Sequence, residues 1–172
     1  MKILTTENKK NEEFLRMPVS ELDLSSADTK ELRHLVKDMR ATMNEANGVG
    51  LSANQVGISK RFFVAQLPAT DEPQKFYAIF NPVITKRSKE LETHEEGCLS
   101  IPLTFGDVER AHVITLEGHA VHGKKVVVKA QGLLARIFQH ELDHLDGKLF
   151  VDVAKNVRKH SLEDETPHSG EI

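Results

Sequence analysis

The chain has a single cysteine, no run of apolar residues long enough to span a bilayer, and only a small excess of negative charge. One thiol, Cys98, cannot close an internal disulfide. That favours a reducing, cytoplasmic setting and leaves Cys98 as core filler, reactive thiol or metal ligand. Without about 20 consecutive apolar residues, no membrane-spanning helix is expected. The opening MKILTTENKKNEEF turns polar too early for the apolar core of a secretory signal. Lysine and arginine number 23 against 26 acidic residues, a net charge of −3, so no wholesale electrostatic affinity for nucleic acid is expected. What is present suits a compact enzyme: 172 residues, 39% hydrophobic and 28% charged, are globular values for one domain with a genuine core. No internal repeat or linker divides it, so residues 1–153 read as one catalytic domain. Residues 154–172 read as a polar tail, frayed or partly disordered.

Residues Asp28 to Ala46 read as an amphipathic helix, with Leu32, Leu35, Val36, Met39, Met43 and Ala46 on one face and Ser25, Ser26 or Asp28 as cap. Strands are expected at 61–67, 76–80, 83–91, 108–117 and 124–130, with 70–74 as a loop and Asn81-Pro82 ending the second strand. Short spacings and the His122-Gly123-Lys124 turn favour antiparallel hairpins.

The chemistry concentrates in Gln139-His140-Glu141-Leu142-Asp143-His144. On a helix, residues four apart stack, so His140 and His144 can reach one ion. Glu141 lies beside them, placed to move a proton for a metal-activated water. The run from Leu133 to Leu145 lacks Gly and Pro and is bounded by Gly132 and Gly147. Leu133, Leu134, Ile137, Phe138, Leu142 and Leu145 form its apolar arc, with Arg136, Gln139 and Asp143 on the other side, where ion pairs at the surface or around the site are expected. Glu141 falls inside the apolar arc. A carboxylate there costs several kcal/mol of desolvation unless a positive partner faces it.

Such a site needs a third protein ligand. A histidine six residues past the motif is excluded, because that position is Phe150. Glu163 and Glu165 lie in the charged tail, with little apolar surface to hold them. Cys98, within Glu96-Gly97-Cys98-Leu99-Ser100, is the better candidate, since thiolate suits zinc and ferrous iron and Gly97 permits close backbone approach. Taken alone, Cys98 reads better as a small buried hydrophobe, the usual fate of a free cysteine; beside the helix motif the ligand reading prevails. The segment Gly48 to Gln55 reads, on its own residues, as a helix stop and turn rather than a phosphate loop, for the required Lys-Ser/Thr is absent.

Together GVGLSANQ (48–55), EGCLS (96–100) and QHELDH (139–144), in this order and spacing, resemble the three signature motifs of the peptide deformylase family. The resemblance runs from about Leu15 to Val153 and takes in Asn81-Pro82, Ser100-Ile101-Pro102 and HLDGKLF (144–150). It implies an enzyme that removes the formyl group from N-formylmethionine on nascent polypeptides. By the same resemblance, Cys98, His140 and His144 hold the metal, and Glu141 is general base and acid. The Gln55 side chain and the Leu99 N–H become oxyanion donors. The substrate lies extended along Val49 and Gly50, with Gly97 close by, and Leu99, Ile137 and Leu133 wall the methionine pocket. The implied fold is α+β, with small antiparallel sheets wrapped around the motif helix. The implied cofactor is one divalent ion, ferrous in the cell, with Zn2+, Ni2+ or Co2+ in purified protein. Transient ribosome contact and no membrane are also implied.

Three departures from the family pattern stand out. Ser52 replaces a usual alanine, 103–107 lacks an arginine some members carry (Arg110 is the nearby cation), and the tail differs from the longer helix of some members. His119 and His122 read as hairpin residues, Glu95-Glu96 as a polar shoulder with Glu96 bracing a loop. A metalloendopeptidase, or a non-catalytic metal-binding or ribosome-associated relative, remain the alternative readings.

Overall fold

The computed structural model describes residues 1–68 and 75–160. The loop expected at 70–74 and the tail beyond 160, with Glu163 and Glu165, therefore lie outside the described residues. Three α-helices and two antiparallel sheets make up the described fold. Helix α1 spans Lys9–Leu15 and α2 Thr29–Glu45, followed by β1 (Gly50–Ser52), a 3-10 turn (Ala53–Val56) and β2 (Phe62–Gln66). Then come β3 (Phe76–Arg87), β4 (Leu91–Cys98), β5 (Ile101–Ala111), β6 (Val113–His119) and β7 (Lys125–Gln131). Helix α3 (Leu133–Leu145) and β8 (Lys155–Lys159) complete the order. The larger sheet runs β1-β2-β3-β6-β7 and the smaller β4-β5-β8. The α+β class expected from the sequence is what the chain adopts.

Alternation along β2 explains how the helices sit. Successive side chains of a strand point to opposite faces. Phe62 and Val64 join Leu32, Met39 and Met43 of α2 in one core, while Phe63 and Ala65 join Ile137, Phe138 and Leu145 of α3 in another. All five β2 residues are buried, because helices cover both faces of that strand. Phe62 stacks on Phe80 at 4.6 Å between ring centres, and Phe63 meets Phe138 at 5.3 Å. Helix α2 begins where expected, with the Asp28 carboxylate accepting from the Lys30 and Glu31 N–H groups, a contribution of about 1 kcal/mol. It ends through Asn47, which takes the left-handed φ of 56° ahead of Gly48.

Strand boundaries differ from the sequence expectation in several places. Asn81-Pro82 does not end a strand, because β3 continues to Arg87 through a bulge between Phe80 and Val83. Asn81 adopts φ 47° there, and its side chain bonds the Leu22 N–H and carbonyl, so the irregularity is tied down from outside the sheet. The single strand expected at 108–117 is two strands, β5 and β6, in different sheets, turning at His112. No Gly or Pro marks that corner. Residues 91–98 and 101–107 are also strand, unanticipated because charged residues mask alternation in the first and Pro102 and Gly106 interrupt the second. The polar tail contributes β8, paired with β5 at Thr104, Phe105 and Asp107. Of the two places expected for an Arg136 ion pair, the one around the site is realised: Arg136 is buried, and Glu96 and two backbone carbonyls receive it.

Candidate metal centre

Three elements deliver the site. Helix α3 presents His140, Glu141 and His144, the end of β4 presents Cys98, and the 3-10 turn after β1 presents Gln55. Helical spacing puts the two imidazoles side by side, with Nε2 of each 3.2 Å apart. Cys98 Sγ lies 3.1 Å from His144 Nε2. The donor atoms of Cys98, His140 and His144 all fall within 4.8 Å of one another, and all three residues are buried. The sequence-predicted ligands are therefore brought together.

The tautomers suit cation binding. His140 Nδ1 sits 3.0 Å from Glu96 Oε2. An ionised carboxylate only accepts, so Nδ1 carries the proton and Nε2, beside His144 Nε2, keeps its lone pair. Burial above all, with the nearby Arg110 charge, pushes His144 well below the ordinary histidine value, which favours the neutral ring. Cys98 Sγ accepts from the Ser100 N–H at 3.4 Å and from Gln55 Nε2 at 3.6 Å, contacts that favour thiolate.

Glu141 is fully buried, and neither carboxyl oxygen has a hydrogen-bond partner. Burial drives its carboxyl well above the ordinary value, against weaker opposing effects of the Ser52 hydroxyl and the Arg110 charge. An unpartnered carboxyl of this kind is costly. It is the group a nearby cation would compensate, and the thiol-imidazole-imidazole set is the right donor chemistry for zinc or ferrous iron. The residues present fit one divalent ion.

Behind the histidines lies a buried charge network that the sequence did not reveal. Glu96 Oε1 accepts from Arg110 Nε at 2.7 Å and Arg136 Nη1 at 2.6 Å, and Oε2 from Arg110 Nη2 at 2.9 Å. Arg110 also pairs with Asp143 at 2.7 Å. Burial alone would raise the Glu96 carboxyl, but the hydrogen bonds from Arg110 and His140 hold it well below the usual carboxylate range. Glu96 thus braces a metal-ligand candidate rather than a loop, and Arg110 faces the interior. Further support comes from Asn54, whose Nδ2 donates to the His144 carbonyl at 2.6 Å.

Other predicted positions fall around this centre. Gln55 is buried, with Oε1 accepting from Ser52 and Nε2 facing Ser100 and Cys98. Leu99 lies in the turn joining β4 to β5, and its side chain abuts Gly48. Gly97 is buried at the end of β4, and Val49 and Gly50 lead into β1, the edge strand of the larger sheet. Ile137 is fully buried one turn before the histidines, whereas Leu133 is 44% exposed at the start of α3.

A thiol and two imidazoles converging beside a buried, unpaired carboxyl have the donor chemistry of a mononuclear metallohydrolase. The sequence profile of polypeptide deformylase matches residues 1–160. A peptide deformylase of Pelotomaculum thermopropionicum is 50% identical over 125 residues, 73% of this chain and 77% of that protein. One from Caulobacter vibrioides is 43% identical over 133 residues, 77% of each chain. Among solved structures, a probable peptide deformylase of Synechococcus phage S-SSM7 superposes with a TM-score of 0.79 at 38% identity, covering 88% of this chain and 98% of that one. The class I type b peptide deformylase of Acinetobacter baumannii with Met-Ala-Ser bound also gives 0.79, at 36% identity, covering 88% and 96%. The chain belongs to the polypeptide deformylase family.

Proposed function

We propose that this chain hydrolyses the formyl group from N-formylmethionyl nascent peptides, with Cys98, His140 and His144 holding one divalent ion and Glu141 moving the proton. The observation that carries the reading is the convergence of those three donor atoms within 4.8 Å beside the unpartnered Glu141. A bound ion supplies Lewis acidity, making water acidic enough to be deprotonated near neutral pH. Glu141 takes the proton from the water that attacks the formyl carbon and returns it to the leaving amine, so formate departs and a free N-terminus remains. Gln55 Nε2 and the Leu99 N–H donate to the oxyanion that develops on the formyl oxygen. Glu96 orients His140 and keeps its Nε2 lone pair free to bind.

The open edge of β1 suits an extended peptide added beside Val49 and Gly50, close to Gly97. Ile137, Leu99 and Leu133 wall the pocket for the methionine side chain. The Met-Ala-Ser bound by the Acinetobacter relative is a peptide of the kind such a reaction leaves. The ion is Fe2+ in the cell, with Zn2+, Ni2+ or Co2+ in purified protein. The enzyme works in the cytoplasm, in transient contact with the ribosome. No helix among the described residues is long and apolar enough to cross a membrane.

The test is formate release from a formyl-Met tripeptide, with anaerobic Fe2+ and with Zn2+ in parallel. Formate is expected in both, more with iron, and Cys98→Ala is expected to lower bound metal. No formate under either condition overturns the reading, and cleavage of casein instead favours an endopeptidase.

A further inference from the structure

We propose that Ser52 is a positioning residue for the reaction, its hydroxyl holding the Gln55 carboxamide with Nε2 turned toward the metal centre. The proposal rests on the deformylase reading above, in which Gln55 is an oxyanion donor. Ser52 and Gln55 form the returning half of a capping box across the 3-10 turn Ala53–Val56. In such a box the serine oxygen faces the N–H three residues on, and the glutamine side chain reaches back to the serine N–H. Here the returning atom is Gln55 Oε1, which accepts from the Ser52 N–H at 2.8 Å and from the Ser52 hydroxyl at 2.9 Å.

A carboxamide can rotate by half a turn, exchanging its acceptor for its donor. With Oε1 held by two donors, one Nε2 hydrogen goes to Ser100 Oγ at 3.1 Å and the other faces Cys98 Sγ at 3.6 Å. The last contact is long, so an incoming substrate oxygen can replace it. In the rotated state Nε2 would meet the Ser52 N–H, donor against donor. Ser52, Gln55 and Ser100 are buried to within 1%, so no bulk water can substitute for the lost partner. Alanine at 52 would keep the backbone donor and remove the hydroxyl. Gln55 Oε1 would then have one donor rather than two, and its side chain a wider range of torsions. The hydroxyl has a single proton and Glu141 is nearby, so the experiment must separate action through Gln55 from action through Glu141.

Ser52→Ala, Gln55→Ala and the double variant are compared by formate release from a formyl-Met tripeptide. Metal content is measured, and the Gln55 side-chain amide is followed by NMR in zinc-loaded protein, assigned by its absence in Gln55→Ala. Loss of one hydrogen bond predicts that Ser52→Ala lowers kcat about two- to tenfold, with KM and metal content unchanged. In the Gln55→Ala background the same change is expected to cost nothing further. The Gln55 amide is expected to give a sharp pair in the native protein and to broaden in Ser52→Ala. An unchanged kcat in Ser52→Ala, or an equal loss with and without Gln55, overturns the proposal. If the native protein releases no formate, the deformylase reading falls, and the amide signal alone decides: unchanged Gln55 resonances in Ser52→Ala overturn the positioning role.

Discussion

Gly50→Ala is expected to damage chemistry far more than stability. A Cβ at residue 50 would lie well inside contact distance of Glu141 Oε1, 2.8 Å from its carboxyl carbon and 3.1 Å from Cγ. The backbone of Gly50 is not in the left-handed region, so alanine meets no backbone strain and the whole effect is this collision. Relief requires the carboxyl to shift by about 1 Å, and a misplacement of that size at a reacting group costs about a hundredfold in rate. That corresponds to about 2.7 kcal/mol of transition-state stabilisation. The folded state bears only a displaced side chain, about 0.5–1.5 kcal/mol, offset in part by about 0.4–1 kcal/mol from a stiffer unfolded chain. A net change under about 1 kcal/mol moves Tm by less than about 4 °C in a domain of this size.

Gly48→Ala is the internal comparison. Its Cβ would fall 2.7 Å from Leu99 Cδ1, the far end of a flexible side chain, and activity is expected to fall less than tenfold, since one rotamer change costs only about 0.5–1.5 kcal/mol. The assays are formate release, metal content and thermal unfolding, with Gly50→Ala repeated on Glu141→Ala, where the collision is gone and its stability cost is expected to vanish. Full kcat in Gly50→Ala with metal retained would refute the claim that close backbone approach sets the Glu141 carboxyl.

Three other outcomes are expected. Glu96 is held below its ordinary 4.5, so the stability it contributes is complete above that pH and lost as pH falls toward the folded value. Glu96→Gln is expected to be about 3 kcal/mol less stable at neutral pH and to lose less on acidification. A native acid slope in the variant, read as Tm against pH, contradicts this. Glu141 is displaced the other way, above 4.5. The unfolded chain therefore releases this proton first, and rising pH favours unfolding of the metal-free protein. Metal-free Glu141→Gln is expected to be more stable than metal-free native protein at neutral pH. The gap closes as pH falls to the ordinary glutamate value, and denaturant titrations at two pH values that show no gap would contradict the assignment. Arg61 donates to the Val19 and Leu145 carbonyls and pairs with Asp146 at 2.8 Å, closing the end of α3. Arg61→Ala is expected to cost about 1.5–3 kcal/mol, measured by urea unfolding, and a loss under 0.5 kcal/mol would assign the contacts to the surface class.

The elements legible in the sequence are those whose signals are local. Helix α3 follows from an uninterrupted run between Gly132 and Gly147, and α2 from its apolar spacing and Asp28. The β6–β7 hairpin follows from the turn at Gly123, which adopts φ 80°. What escaped depended on partners distant in the chain. The bulge at Asn81 makes sense only once Leu22 and the Arg61 carbonyl are beside it. The corner at His112 lacks a turn residue because contacts from elsewhere fix it: its N–H donates to the Glu90 carbonyl and its own carbonyl accepts from the Gly132 N–H. At the candidate site, residue types and spacing pointed to Cys98, His140, Glu141 and His144, but Glu96 read as part of a polar shoulder bracing a loop, with nothing to show that it is buried against His140. Its neighbour Glu95 pairs with Arg158 at the surface. Alternation along β4 separates them, and that strand was not anticipated.

Helix α3 shows why the apolar-arc argument did not anticipate the burial of Arg136. That argument assigns one helical face to the core and the other to water, and here both faces are covered. Ten of its thirteen residues are buried, and five of those ten are Arg136, Gln139, His140, Glu141 and His144. The polar side takes up backbone groups that strand pairing leaves over. Gln139 Nε2 donates to the Ala111 carbonyl at 2.9 Å and its Oε1 accepts from the Ala111 N–H at 3.2 Å, so one side chain stands in for a neighbouring strand where β5 ends. Arg136 does the same for the Glu92 and Val108 carbonyls while reaching Glu96. The polar residues of α3 therefore do two jobs with one geometry. They complete the hydrogen bonding of the sheet corner, and through Glu96 they fix the ring of His140. Moving the corner would move a metal-ligand candidate, which ties the chemistry of the site to the least legible part of the fold.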